Sequence, residues 1–134
     1  MEAMVQALQS TILPRPRFLY SPVVKAGPWI RVSGMVGLDR ATGAIEAGGP
    51  GAEAARILDN LSLALAELGL SLNDMVAARI FTTRMDLFGE INAAWEAVIG
   101  KLAIPPARTS VGVSALPLGA SVEIEFELYR EEGL

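Results

Sequence analysis

The chain has 134 residues, the size of one ordinary domain, and its 51% hydrophobic and 19% charged residues favour a packed core over disorder. A net charge of −4 lacks the basic footprint that phosphate backbones attract, so nucleic acid is a poor default partner. With no Cys and no His there are no disulfides, thiol nucleophiles, Ser-His-Asp triads or imidazole bases, and only carboxylates remain as anionic metal ligands, which argues against a metal site.

The start, Met1-Glu2-Ala3-Met4-Val5, lacks the basic residues and long apolar run of a signal peptide. No stretch approaches the roughly 18 uncharged apolar residues that a membrane span needs. A cytoplasmic protein without membrane partners is therefore expected. No repeat or linker interrupts the chain, so residues 1–134 read as one domain. Residues 1–17 read as a loosely ordered lead-in, because Pro14 and Pro16 break regular structure.

Phe18 to Val24 reads as extended, and Trp29 to Ser33 as a strand rich in β-branched and aromatic residues, closed by Gly34 and continued by Met35 to Leu38. Asp39 to Gly43 is a turn. Pro50 to Leu68 reads as a helix, with Pro in its first turn, Gly69 at its stop, and Leu58, Leu61, Leu65 and Leu68 on one apolar stripe. Met75 to Thr83 is a strand. Asp86 is a candidate N-cap for a second helix to about Ile99, with Phe88, Ile91, Trp95 and Val98 inward. Ala107 to Ser114 alternates, with Arg108 and Ser110 on one side and Thr109 and Val111 on the other. Ser121 to Tyr129 alternates more cleanly, with Val122, Ile124, Phe126 and Leu128 opposed to Glu123, Glu125 and Glu127. The order predicts an α+β fold with two helices covering one face of a mostly antiparallel sheet. The face opposite the helices is expected to carry Arg108 together with the Glu row. On composition alone those glutamates are a solvent row, Arg108 a surface residue, Trp29 and Trp95 core residues, and Asp39 and Thr42 turn residues.

Pro106-Ala107-Arg108-Thr109-Ser110, then Leu116-Pro117, then Val122-Glu123-Ile124-Glu125 closely resembles the signature of the RidA/YjgF family, also labelled the endoribonuclease L-PSP family. Tyr20 to Val23, Val32-Ser33-Gly34 with Leu38-Asp39 and Thr42-Gly43, and Phe81 to Asp86 with Phe88 and Asn92 match other parts of that pattern. The resemblance spans nearly the whole chain after about residue 18. It implies a chorismate-mutase-like subunit, a homotrimer with sites between adjacent subunits, and cofactor-independent hydrolysis of reactive enamines and imines, such as 2-aminoacrylate, to 2-keto acids and ammonia.

Carried over to this sequence, the resemblance makes Arg108 the anchor of a substrate carboxylate, which its planar guanidinium matches bidentately. Glu123 orients or activates a water. Tyr20 and Asn92 shape the pocket, Ser33 and Ser110 line it, and the backbone at Gly34 approaches the ligand. Two positions depart from typical members: Met35, where Gln is common, and Ser110, where Cys is common. Met35 is thereby a candidate to change the pocket.

Two other functions compete with the deaminase. A non-catalytic regulatory module could use the same inter-subunit pocket to bind a small carboxylate, and Arg108 serves either role. Ribonuclease or translation-inhibitor activity is the weaker alternative, because there is no His for acid–base cleavage and no basic stripe interleaved with aromatics.

Overall fold

A computed structural model of the chain describes residues 4–131. Six strands form one sheet: β1 (Val5–Ala7), β2 (Val23–Ala26), β3 (Trp29–Val36), β4 (Met75–Thr82), β5 (Ala107–Gly112) and β6 (Val122–Tyr129). Their spatial order is β1-β2-β3-β6-β4-β5. Two helices, α1 (Pro50–Glu67) and α2 (Phe88–Ile99), complete the fold. Only β4 and β5 pair in parallel, and α2 is the crossover that such a pair requires. All other pairs are antiparallel.

The strand with the cleanest alternation lies inside the sheet. Val122, Ile124, Phe126 and Leu128 of β6 are buried, and the register sets them beside Ile30, Val32 and Met35 of β3 and Ala78 and Ile80 of β4. The apolar stripe of α1 (Ile57, Leu58, Leu61, Leu65) and Ile91 and Trp95 of α2 close the same core. With each large aliphatic side chain stabilising by about 1.5–3 kcal/mol on burial, this layer outweighs any surface ion pair in holding helices to sheet. The other side of the sheet, its open face, carries the partly exposed Glu123, Glu125 and Glu127 of β6.

Several expectations change. Asp86 caps nothing: Met85–Leu87 form a 3₁₀ turn, Leu87 stands at the N-cap of α2 without a side-chain cap, and the Asp86 carboxylate instead receives Arg84 at 2.9 and 3.0 Å. Met35 is a core residue. A register shift between Val32 and Met35 turns its side chain into the core beside Ile124, where it is 9% exposed. The lead-in is also tied down. Within it, β1 pairs with β2, Leu13 is buried, and the Glu67 carboxylate at the end of α1 accepts from the hydroxyl of Ser10 and from the amide and hydroxyl of Thr11. Those donors, Ser10 foremost, bring the Glu67 carboxyl down to about 2, so the tie persists well into acid.

The turn before β6 holds one unfavourable residue. Leu118 has φ 60° and ψ 20° and is exposed. A branched L-residue in the left-handed region is strained, whereas Asn tolerates it. Leu118→Asn is expected to stabilise the protein by about 1 kcal/mol, read as a higher urea midpoint with an unchanged slope. An unchanged or lower midpoint would show that the turn carries no such strain.

Among the described residues there is no helix long and apolar enough to cross a membrane, and no cluster of acidic side chains suited to a metal ion.

Candidate active site

The predicted site residues fall into two groups. The first gathers on β5 and α2. Arg108 pairs with Ala78, which pairs with Phe126, so Arg108 extends to the helix side of the sheet. Phe88, Asn92 and Trp95 follow one another at i, i+4 and i+7 on α2 and therefore share one helix face. The Arg108 guanidinium carbon lies 5.4 Å from the Phe88 ring centroid and 5.3 Å from that of Trp95. Its Nη1 donates to Asn92 Oδ1 at 2.8 Å, and Asn92 Nδ2 reaches Glu96 Oε1 at 3.5 Å.

Two aromatic faces thus hold the guanidinium while a neutral amide fixes its rotation. Among the described residues no carboxylate forms a salt bridge with Arg108, although six other arginines have such partners. Arg108 is also exposed. An oriented, un-neutralised, accessible guanidinium has the geometry and charge that match a carboxylate. Ser110 lies two residues further along the same side of β5, level with Ile80.

The second group lies on the open face. Glu123 of β6 is level with Val36 of β3 and Phe81 of β4. The three glutamates of β6 differ in their partners. Glu125 pairs with Arg79 at 3.3 Å and Glu127 with Arg31 at 3.6 Å, while Glu123 has no basic partner among the described residues. Partial burial, with a smaller contribution from the Glu125 charge, raises the Glu123 carboxyl above the ordinary carboxylate range. A carboxyl so poised can take a proton from water and return it.

Gly34 lies directly against this carboxylate: a Cβ there would fall inside contact distance of Glu123 Oε2. The neighbouring Ser33 donates its hydroxyl to the Ser21 carbonyl at 2.7 Å and its amide to the Pro22 carbonyl at 2.8 Å. These bonds fasten the segment after Tyr20 to the bulge of β3. The Tyr20 side chain itself is half exposed.

Gly34→Ala is therefore expected to push aside only the flexible end of Glu123. Turnover should fall about tenfold while the melting temperature stays within a few degrees. Equal activity in the variant would mean that the position of Glu123 is unimportant.

The two groups do not meet within one chain. Side chains on a strand alternate faces, and paired neighbours share a face. Arg108 is level with Phe126, three residues from Glu123, so Arg108 and Glu123 emerge from opposite faces of the sheet. The expectation of a common face was wrong because β5 is an edge strand without an apolar side to orient it. Sequence reading also assigned Phe88 and Trp95 to the core alone. Their spacing with Asn92 was the available signal that they wall the arginine.

The profile of the family described as Endoribonuclease L-PSP matches residues 12–128. The chain belongs to this family, also known as RidA/YjgF. A RutC family protein of Pyrococcus abyssi is 33% identical, over 88% of this chain and 91% of that protein. A mouse protein named 2-iminobutanoate/2-iminopropanoate deaminase is 35% identical, over 90% of this chain and 87% of that one. Among solved structures, RidA from an Antarctic Psychrobacter superposes with a TM-score of 0.82 at 35% identity, covering 92% of this chain and 98% of that one. The YjgF gene product of E. coli gives a TM-score of 0.86 at 29% identity, covering 94% and 99%.

Proposed function

We propose that this protein hydrolyses reactive 2-imino acids and their enamine tautomers to 2-keto acids and ammonia, at sites assembled between copies of the chain in a homotrimer. The observation that carries the reading is the un-neutralised Arg108 guanidinium, held between Phe88 and Trp95 and turned by Asn92. The deaminase name of the mouse relative points the same way.

The chemistry asks little of the protein. Arg108 binds the substrate carboxylate. The imine carbon is already electrophilic, so water suffices as nucleophile. Glu123 accepts a proton from that water as the C–O bond forms, and the imine nitrogen takes up a proton from solvent to give a carbinolamine. Glu123 then returns its proton to the nitrogen, the hydroxyl proton passes to solvent as the C=O bond forms and the C–N bond breaks, and ammonia leaves with the keto acid. No cofactor is needed. Because Arg108 and Glu123 lie on opposite faces, one copy supplies the carboxylate receptor and the next supplies Glu123 with the Tyr20–Gly34 wall.

The test uses 2-aminoacrylate generated freshly by a dehydratase acting on serine. Pyruvate and ammonia should appear faster than by spontaneous hydrolysis. No acceleration defeats the deaminase reading and leaves the small-carboxylate binding module, which saturable binding of pyruvate would then support. Co-expression of Arg108→Ala with Glu123→Gln tests the shared site. Random assembly should restore about a quarter of the sites, because some sites receive the intact residue from each variant. If mixed protein is no more active than either variant alone, the two residues do not act across copies.

A further inference from the structure

We infer that Glu53, a buried carboxylate on α1, is a positioning residue that holds the Glu123 carboxyl in its working place by clamping Ser121 at the entrance of β6. This inference rests on the role proposed for Glu123.

Glu53 is one of three buried polar residues among those described, 6% exposed. Burying a carboxylate is costly unless its oxygens are satisfied, and both are used on one residue. Oε1 accepts from the Ser121 amide at 2.8 Å, and Oε2 accepts from the Ser121 hydroxyl. The Ser121 carbonyl is held from the other side by the Thr82 hydroxyl at 2.7 Å and the Thr83 amide at 3.1 Å. Thr82 is fully buried and accepts in turn from the Arg84 amide at 3.0 Å. Ser121 is thus gripped through its amide, hydroxyl and carbonyl, two residues before Glu123.

The clamp also locates the strand opposite. A Cβ on Gly37 would collide with the Glu53 carbonyl, so α1 and the end of β3 touch backbone to backbone there. Gly37 comes directly after Val36, the residue level with Glu123. The helix therefore fixes both walls of the Glu123 position, Ser121 by hydrogen bonds and β3 by contact. A hydrophobic residue at 53 would fill space but leave the Ser121 amide unsatisfied. That loss frees the turn of residues 117–121 and lets water reach Glu123. The charges that face Glu123 are few: Glu125 on its own strand, with Arg79 of β4 bound to Glu125 and Arg31 of β3 bound to Glu127.

The experiment compares wild type, Glu53→Ala, Glu53→Gln and Ser121→Ala, each first checked for native circular dichroism and an unchanged assembly state. Carbon-13 carboxyl NMR tracks the titration of Glu123, identified by the signal missing in Glu123→Gln. In Glu53→Ala the Glu123 titration should move down toward the ordinary carboxylate range, and kcat should drop about tenfold with KM within about twofold. Glu53→Gln keeps an acceptor for the Ser121 amide and should restore both to near wild type. Ser121→Ala, which loses only the hydroxyl bond, should fall between and serves if Glu53→Ala does not fold. A Glu123 titration unmoved in both Glu53→Ala and Ser121→Ala would overturn the inference. Wild-type protein without turnover would instead defeat the proposed reaction, while the titrations still decide whether Glu53 positions Glu123.

Discussion

Arg108→Ala should lower kcat/KM by on the order of 10²-fold or more, equivalent to about 2–4 kcal/mol of lost transition-state binding. The size reflects what Arg108 lacks. It has no acidic partner among the described residues, so its charge is available to the ligand. Folding stability should change by no more than about 1 kcal/mol, because the residue is exposed and gives up only its contacts with Phe88, Trp95 and Asn92. Arg108→Lys keeps a charge but loses the flat fork that stacks on two rings, and should recover only part of the activity. Calorimetry with pyruvate separates binding from chemistry. Wild-type efficiency in the purified Arg108→Ala protein would remove Arg108 as the anchor.

Glu123→Gln should lower kcat by about 10²–10⁴-fold while leaving pyruvate affinity nearly intact, since Gln can orient water but cannot exchange its proton. The same change should stabilise the fold at neutral pH. Burial raises the Glu123 carboxyl in the folded state, so the folded protein holds that proton more tightly than the unfolded chain does. Wild-type stability therefore falls as pH rises from the unfolded carboxylate value through the raised folded value, and the full penalty is present above that window. Gln carries no charge at any pH. Its advantage in melting temperature should be greatest above the window and should vanish below it. A variant less stable than wild type at neutral pH would mean that the ionised Glu123 is stabilised rather than strained. Loss of activity with gain of stability is the expected signature of a residue kept for chemistry.

The sequence is informative where periodicity meets strong apolar contrast. The alternation of Val122, Ile124, Phe126 and Leu128 with three glutamates sets the inward face of β6, and the leucine stripe of α1 sets the side it packs. Pro50 and the short polar turns bound the elements. The pattern around Pro106-Ala107-Arg108 and Val122-Glu123-Ile124-Glu125 nominates Arg108 and Glu123 as the charged candidates through family resemblance. Asp86 misled because a good capping residue was drawn instead into a pair with Arg84. Met35 misled because a bulge at Ser33 and Gly34, which alternation alone does not reveal, switches the face onto which Met35 projects.

By itself, then, the sequence determined the two helices, the main strands from β3 onward and the inward faces of α1 and β6, and family resemblance nominated the candidate site residues. The elements and their inward faces come from hydrophobic spacing, which is local, and the candidate residues from the match of short motifs to the family pattern. Only the tertiary structure decided how those residues are grouped. Arg108 faces α2 because β5 lies parallel to β4 in a register set by a crossover of some two dozen residues. Glu123 stands apart from Glu125 and Glu127 because Arg79 and Arg31 arrive from neighbouring strands. Glu53 reaches Ser121 across 68 positions of sequence. Strand pairing and ion pairing at such separations depend on how distant segments pack, and nothing in the neighbouring residues specifies them.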